Sequence, residues 1–141
     1  MQKVQFYSLD RTPSLNERTR LKLFIEKLFI IERNKLGNIS YIFCSDEHLL
    51  TINREFLKHD FYTDVITFDL SSSKNKIEGE VYLSVDRIKD NAKAEGVSFR
   101  EEVHRVIFHG ALHLCGYKDK KREDIVKMRK MEEKYLKQYF I

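Results

Sequence analysis

Two kinds of apolar pattern alternate along the chain, and their order limits the folds available to it. Short segments rich in β-branched and aromatic residues predict strands, and longer segments with apolar residues at helical spacing predict helices. They follow one another as β, α, β, α, β, β, α, α, α. This order predicts an α+β fold in which a small mixed β-sheet of about four strands packs with about five helices. The length suits a single domain over residues 1–141.

Turn and capping residues give the expected bounds of the first elements. After a short first strand, Ser14 is predicted to cap a long helix that runs to Leu36 and ends at Gly37. A strand is predicted over residues 39–44, and Asp46 is predicted to cap a short helix after it.

The second half of the chain is predicted to contain two neighbouring strands followed by three helices. The strands are expected over residues 63–70 and from Gly79. Ser98 with Glu101 three residues later is a capping-box pattern, and it opens the helix that carries two histidines. The residues predicted to start or end these three helices are Ser84, Gly96, Ser98, Gly116 and Lys121.

Composition narrows the class of protein. The formal net charge of +4 suits an acidic partner such as RNA without requiring one. Lysines and arginines are dense between Lys118 and Lys137, but acidic residues are interspersed there, which favours an ordinary solvated helix face over a phosphate-binding surface. Only Cys44 and Cys115 are present, so no disulfide framework is predicted. With no apolar leader and no membrane-length apolar run, a cytoplasmic protein is expected.

The candidate functional site lies in the stretch HGALHLCGYKD. His109 and His113 are four residues apart on a predicted helix, so both side chains can reach one metal ion. Gly116 can turn the chain back at the end of the helix, which makes Asp119 a plausible third ligand. Three protein ligands leave one position open, as in a catalytic zinc site. We therefore predict one Zn²⁺ per chain in a zincin-like site on a helix and its C-terminal turn, although nickel or manganese would also suit these ligands.

The residue after the first histidine argues against a zinc peptidase. Such enzymes carry a glutamate there as general base, and this chain has Gly110. Phosphodiester chemistry fits the remaining ligands better. Among the other candidates, Cys115 is expected to be a buried, inert thiol, and His104 is expected to face away from the site. His48 and His59 have no partner at ligand spacing, and surface or structural roles are expected for them.

Three stretches resemble the YbeY endoribonuclease family, also described as rRNA maturation factors. His109–Asp119, HGALHLCGYKD, is similar to the family's HGxLHLxGYDH. INREFLKHDFYTDVITF, residues 52–68, is similar to LNxxYRxxDxxTDVLSF, and GEVYLS from Gly79 resembles the GDIxIS strand. Together with the length and the element order, the resemblance covers nearly the whole chain.

Two departures from the family pattern fall in the predicted site. Asp119 stands where the third histidine ligand is usual, and Lys118 stands where aspartate is usual. A carboxylate oxygen is a competent zinc ligand, so metal binding should survive with altered tuning. Leu57 stands where the family often has an arginine thought to face the substrate, which makes Lys58 and His59 the nearby candidates for holding phosphate.

The resemblance implies a metal-dependent, single-strand-specific endoribonuclease that acts in maturation of the small-subunit rRNA 3′ end and in ribosome quality control. Its expected partner is RNA, either ribosomal RNA or the small ribosomal subunit. The general base is not identifiable, and Asp64 and His59 are the candidates. Thr63 and Asp64 could face the substrate or simply cap a strand end. Tyr117 could stack on a base, although packing beneath the metal loop is favoured.

Two other functions stay open at this stage. A ribosome-assembly factor would use the metal only as a staple for the last helix, and its fourth coordination position would be closed. A zinc peptidase would have to recruit its base from elsewhere, because Gly110 has no side chain. The oligomeric state is left undetermined.

Overall fold

Four strands and five helices form the part of the chain that the structure, a computed structural model, describes, residues 2–141. Their order is the one that the sequence predicts. The elements are β1 (Val4–Ser8), α1 (Arg18–Ile31), β2 (Leu36–Cys44), α2 (Asp46–Leu57), β3 (Val65–Asp69), β4 (Ile77–Ser84), α3 (Val85–Glu95), α4 (Phe99–Leu114) and α5 (Arg122–Tyr139).

The strands form one mixed sheet in the order β1-β2-β4-β3. β1 pairs with β2 and β2 pairs with β4 in parallel, while β3 runs antiparallel to β4. The prediction of a mixed sheet in which β3 and β4 are neighbours is therefore confirmed. Helices α1 and α2 are the connections that the parallel pairs require, since parallel strands cannot be joined by a tight turn.

The main core lies between one face of the sheet and α1, α4 and α5. Alternate residues of the central strands point into it, because successive side chains of a strand face opposite sides. These strand residues are Ile39, Tyr41 and Phe43 on β2 and Val81 and Leu83 on β4. A smaller cluster on the other face joins Cys44 and Ile66 to Leu49 and Ile52 of α2.

Helix α4 is buried along nearly its whole length and carries the histidines of the candidate site. Its N-cap is Ser98, whose hydroxyl oxygen accepts a hydrogen bond from the Glu101 amide at 3.0 Å, as predicted. Cys115 ends the helix, and Gly116 follows with φ +106°. The chain is thereby turned back toward the helix it has just left.

Two predicted bounds of α1 are wrong. The helix begins at Arg18 after Glu17 in a left-handed conformation, not after Ser14, because Leu15 is buried in the main core instead of forming the first turn. At the other end the helix stops at Ile31. Arg33 then adopts a positive φ and reverses the chain.

Leu36 and Gly37 belong to β2 and not to the end of α1. Leu36 pairs with Ile77 of β4, and the register shifts between Leu36 and Asn38. Sheet pairing therefore overrides the local preference of glycine for a helix C-cap.

The predicted cap of α2 is displaced by one residue. Ser45 is the N-cap, and its hydroxyl oxygen accepts a hydrogen bond from the His48 amide at 3.1 Å. Asp46 lies in the first turn, where its carboxylate accepts hydrogen bonds from Ser84 and Arg87 of the β4–α3 junction. Because the Asp46 carboxylate is bonded to Arg87, it does not cap the helix as the sequence predicts.

None of the helices within residues 2–141 combines the length and the apolar character needed to cross a bilayer.

Close packing of α4 on the sheet leads to a first prediction. A Cβ atom at Gly110 would lie 2.8 Å from Cγ1 of Val81, which is nearer than side-chain carbons approach one another. We expect Gly110→Ala to lower the free energy of unfolding by about 1–3 kcal/mol through overpacking. Helix propensity alone would raise it by about 1 kcal/mol.

Urea denaturation of the single variant and of Gly110→Ala/Val81→Ala measures the effect. The double variant should be more stable than the sum of its two single changes predicts, because the clash is removed. A stabilised Gly110→Ala variant would refute the close approach.

Candidate metal centre and substrate cavity

His109 and His113 of α4 present parallel rings to one side of the helix. Their planes differ by 3° and their centroids are 6.4 Å apart. This is the arrangement that the spacing of four residues predicts. Both residues line a cavity of about 430 Å³ that opens between α4, β3 and the loop after α2.

Each histidine uses its Nδ1 atom to hold the ring in place. The Nδ1–H of His109 donates to the Glu132 carboxylate at 2.6 Å, and that of His113 donates to the Tyr117 carbonyl at 3.0 Å. Nε2 is then the nitrogen of each ring that is left to bind a metal ion. Metal-binding histidines commonly have a carboxylate or a carbonyl at the other ring nitrogen in this way.

The loop after α4 brings the predicted third ligand to the first. Oδ2 of Asp119 lies 3.2 Å from Nε2 of His109. Tyr117 anchors the loop from beneath: its ring packs against the main core and its hydroxyl donates to Glu32 at 2.8 Å. Burial, followed by the contact with Glu32, raises the pKa of Tyr117 to about 12, so the phenol remains a donor.

A buried ion network lies behind His109. The guanidinium of Arg105 contacts Glu102 at 2.6 Å and Glu132 at 2.9 Å. The side chains of both carboxylates are at most 3% exposed. Burial raises the pKa of Glu132, but the hydrogen bond from His109 and the charge of Arg105 outweigh it and leave this pKa lowered. Glu132 is therefore a charged acceptor, and it fixes the His109 ring.

The donor set fits one divalent cation. Within residues 2–141 no three such side chains are already gathered in metal-binding geometry. Nε2 of His109 nevertheless lies beside the Asp119 carboxylate, and His113 lines the same cavity. Around them lie four carboxyl groups, Glu102, Glu132, Asp64 and Asp119, and the guanidinium of Arg105 balances only part of their charge. A cation beside Asp119 would offset the remaining negative charge.

Asp64 faces the same cavity from the start of β3. Its side chain is 23% exposed, lies 3.8 Å from the guanidinium of Arg105 and accepts a hydrogen bond from Asn91 at 3.3 Å. Burial is the main cause of a raised pKa for Asp64, and Arg105 opposes it. The neighbouring Thr63 also lines the cavity, and its hydroxyl donates to the Val65 carbonyl at 3.4 Å.

The remaining sequence candidates are divided between the cavity and its surroundings. His59 lines the cavity, as does Leu57 at the position of the family's usual arginine. Among the described residues, the cavity lining does not include Lys58 or Tyr117. Tyr117 therefore packs and anchors the metal loop, which is the role that the sequence favours.

His104, His48 and Cys115 lie outside the cavity lining. His104 is 2% exposed, and its ring stacks on Tyr139 with centroids 5.1 Å apart. Burial lowers the pKa of His104 and raises that of the half-buried Cys115 thiol to about 12, so both are neutral packing groups. His48 is exposed on α2. These positions confirm that His104 faces away from the site.

Comparison with known proteins agrees with the resemblance seen in the sequence. The family model described as Endoribonuclease YbeY matches residues 10–140. The chain belongs to the endoribonuclease YbeY family. It is 44% identical to an endoribonuclease YbeY of Cytophaga hutchinsonii over 92% of this chain and 91% of the relative. It is 42% identical to that of Porphyromonas gingivalis over 96% of this chain and 89% of the relative.

A solved structure shares the fold. The solution structure of TM1509 from Thermotoga maritima superposes with a TM-score of 0.60 at 23% sequence identity, over 97% of this chain and 89% of that one. The likeness supports the α+β architecture of this YbeY family member.

Sequence reasoning missed Glu132, Arg105 and Glu102 as parts of the YbeY site. A signal for Glu132 was available, because it falls at helical spacing with Met128, Tyr135 and Tyr139 on the buried face of α5. A charged residue on an apolar stripe requires a buried partner. The sequence could not identify that partner, since His109 and Arg105 lie on another helix.

The buried network leads to a second prediction. We expect Glu132→Gln to lower the free energy of unfolding of metal-free protein by about 1–3 kcal/mol, because Arg105 and His109 lose a charged acceptor. Urea denaturation in the presence of a chelator measures this. The matched control is the exposed neighbour Glu133→Gln, whose effect should stay within about 0.5 kcal/mol. Equal effects of the two changes would contradict the network.

Proposed function

We propose that this YbeY family member is a metal-dependent endoribonuclease that hydrolyses phosphodiester bonds of single-stranded RNA. The observation that supports it best is the pair of parallel histidines on α4, each held through Nδ1, at the wall of an open cavity. The relatives from Cytophaga hutchinsonii and Porphyromonas gingivalis carry the name endoribonuclease, which favours RNA as the substrate. We further propose ribosomal RNA, at the small-subunit 3′ end, as the target and the cytoplasm as the place of action.

The proposed metal ligands are His109, His113 and Asp119, and zinc is the proposed ion. Bound there, it would supply a Lewis acid for the phosphodiester and lower the pKa of an attacking water. Glu132 would orient His109 and increase its strength as a ligand. The Tyr117 carbonyl would do the same for His113. Together they would keep the ligands in place before substrate arrives.

We propose Asp64 as the proton acceptor of the reaction. Its carboxylate lines the cavity together with His109 and Asp119, and burial raises its pKa, which strengthens it as a base. His59 is the other candidate, but its ring is stacked on Phe61 at the rim. Lys120 is a cation within the cavity lining and suits a phosphate, whereas Arg105 is already paired with carboxylates.

Packing of Gly110 argues against the peptidase alternative. A zinc peptidase needs a glutamate there, but a Cβ at this position would lie 2.8 Å from Cγ1 of Val81 on β4, so a glutamate would clash with the sheet. Peptide hydrolysis therefore has no base at the expected place.

Metal content and RNA cleavage together give the third prediction. Wild-type protein should contain about one equivalent of zinc by elemental analysis and cut a single-stranded oligoribonucleotide, and a chelator should abolish cleavage. Asp119→Ala should lose most of the metal and the activity. The control is Glu123→Ala, an exposed acid of the first turn of α5.

Each failure of this experiment has a distinct meaning. Unchanged metal in Asp119→Ala would remove Asp119 from the ligand set. Bound metal in a wild-type protein that cuts no RNA would favour the ribosome-assembly factor with a structural metal.

A fourth prediction distinguishes Asp64 from His59 as the general base. Asp64→Asn should lower kcat for RNA cleavage by about 10²- to 10⁴-fold, the usual effect of losing a general base, and leave the metal content unchanged. His59→Gln should leave kcat within about threefold of wild type if Asp64 is the base. Asp60→Asn serves as the control, because Asp60 is exposed, forms an ion pair with Arg54 and does not line the cavity. The opposite ranking would make His59 the base.

A further inference from the structure

Two aromatic rings are stacked at the rim of the cavity. His59 and Phe61 have ring centroids 5.1 Å apart and planes inclined by 20°. Both residues line the same cavity as His109 and Asp119. Phe61 is 55% exposed, so a large flat surface is available beside the proposed site of cleavage.

One buried residue holds both members of this pair. Asn53 of α2 is 1% exposed. Its side-chain amide donates to the Phe61 carbonyl at 2.9 Å, and its backbone carbonyl accepts from the His59 amide at 3.1 Å. Asn53 itself lines the cavity, and its Oδ1 has no hydrogen-bond partner within residues 2–141. Asn53 is therefore a buried anchor of the loop that carries both rings.

The rest of the loop is fixed on its outer side. The Tyr62 hydroxyl donates to Glu47, and the guanidinium of Arg87 lies 5.0 Å from the centroid of the Tyr62 ring. These contacts hold the loop against α2 and α3. The rings of His59 and Phe61 are thus preorganised, and a ligand that stacks on them would not have to order the loop first.

We propose that the stacked His59–Phe61 pair, with Asn53, is a binding site for one unpaired nucleobase of the RNA substrate. This inference rests on the proposed endoribonuclease function. An aromatic ring at the mouth of a cavity suits the face of any base. Lys120 in the lining suits the phosphate beside it. A base stacked within a duplex has no free face, so the site selects single strands.

The absence of tryptophan from the chain allows a direct test. In Phe61→Trp the new ring is the sole tryptophan, and a stacked base quenches its emission. The probe is a 2′-O-methyl oligoribonucleotide whose integrity is checked on a gel. We expect saturable quenching, and about 5- to 100-fold weaker binding of a probe with abasic sites throughout.

A matched variant reports on non-specific contact. Phe56 of α2 is 66% exposed, as a control for Phe61 should be, but it does not belong to the cavity lining. Phe56→Trp should show no saturable change in emission with the same probe. Equal quenching of both variants would overturn the proposal.

Steady-state kinetics on a cleavable single-stranded RNA give an independent readout. Phe61→Ala should raise KM by about 5- to 100-fold and leave kcat within about threefold of wild type, because the ring binds and does not react. Phe61→Tyr keeps the stacking surface and should restore KM. Phe56→Ala should match wild type. An unchanged KM in Phe61→Ala would refute the site.

The outcomes separate this inference from the function on which it rests. If wild type cuts RNA but neither abasic sites nor Phe61→Ala weaken binding, the nucleobase site is refuted and the endoribonuclease stands. If Phe61→Trp is quenched by RNA but wild type cuts none, the nucleobase site stands and the enzyme fails. If a peptide with aromatic residues quenched the emission of Phe61→Trp and RNA did not, the assignment to a nucleobase would be overturned.

Discussion

The hydrogen bond between His109 and Glu132 is the interaction on which the site depends. It joins α4 to α5 and fixes a ring of the proposed metal centre at a distance of 2.6 Å. A carboxylate so deeply buried requires compensation, which Arg105 supplies together with His109. The same contacts therefore hold α5 against α4 and fix the orientation of the His109 ring.

The sheet determines where that interaction lies. Close approach of Gly110 to Val81 lets α4 lie against β4, while Arg105 and His109 of the same helix meet Glu132 of α5. The antiparallel β3 then forms the other wall and presents Asp64. The loop between α2 and β3 completes the rim with a preorganised aromatic pair. The proposed base and the proposed base-stacking surface thus come from the loop between α2 and β3, and the proposed metal ligands come from α4 and the loop after it.

Two residues of the cavity lining, Leu57 and Asp119, differ from those usual in the YbeY family. At position 57 the chain has leucine where an arginine is usual, and the position does line the cavity. The proposed contacts with substrate at this wall are accordingly the stacked rings and Lys120. Asp119 in place of histidine brings a carboxylate to within 3.2 Å of Nε2 of His109. Both departures change the charge at the cavity wall.

The sequence by itself determined the element order, the mixed sheet, the caps at Ser84 and Ser98, and the common direction of His109 and His113. The caps and the direction of the histidines depend on residues within one or two turns of each other, for which periodicity and capping suffice. The mixed sheet follows from the order of the elements. The tertiary structure alone decided that Leu15 is buried, that Leu36 and Gly37 pair in the sheet, and that Glu132 reaches His109. Such contacts join residues far apart in the chain, and their energies exceed the local preferences of the residues involved.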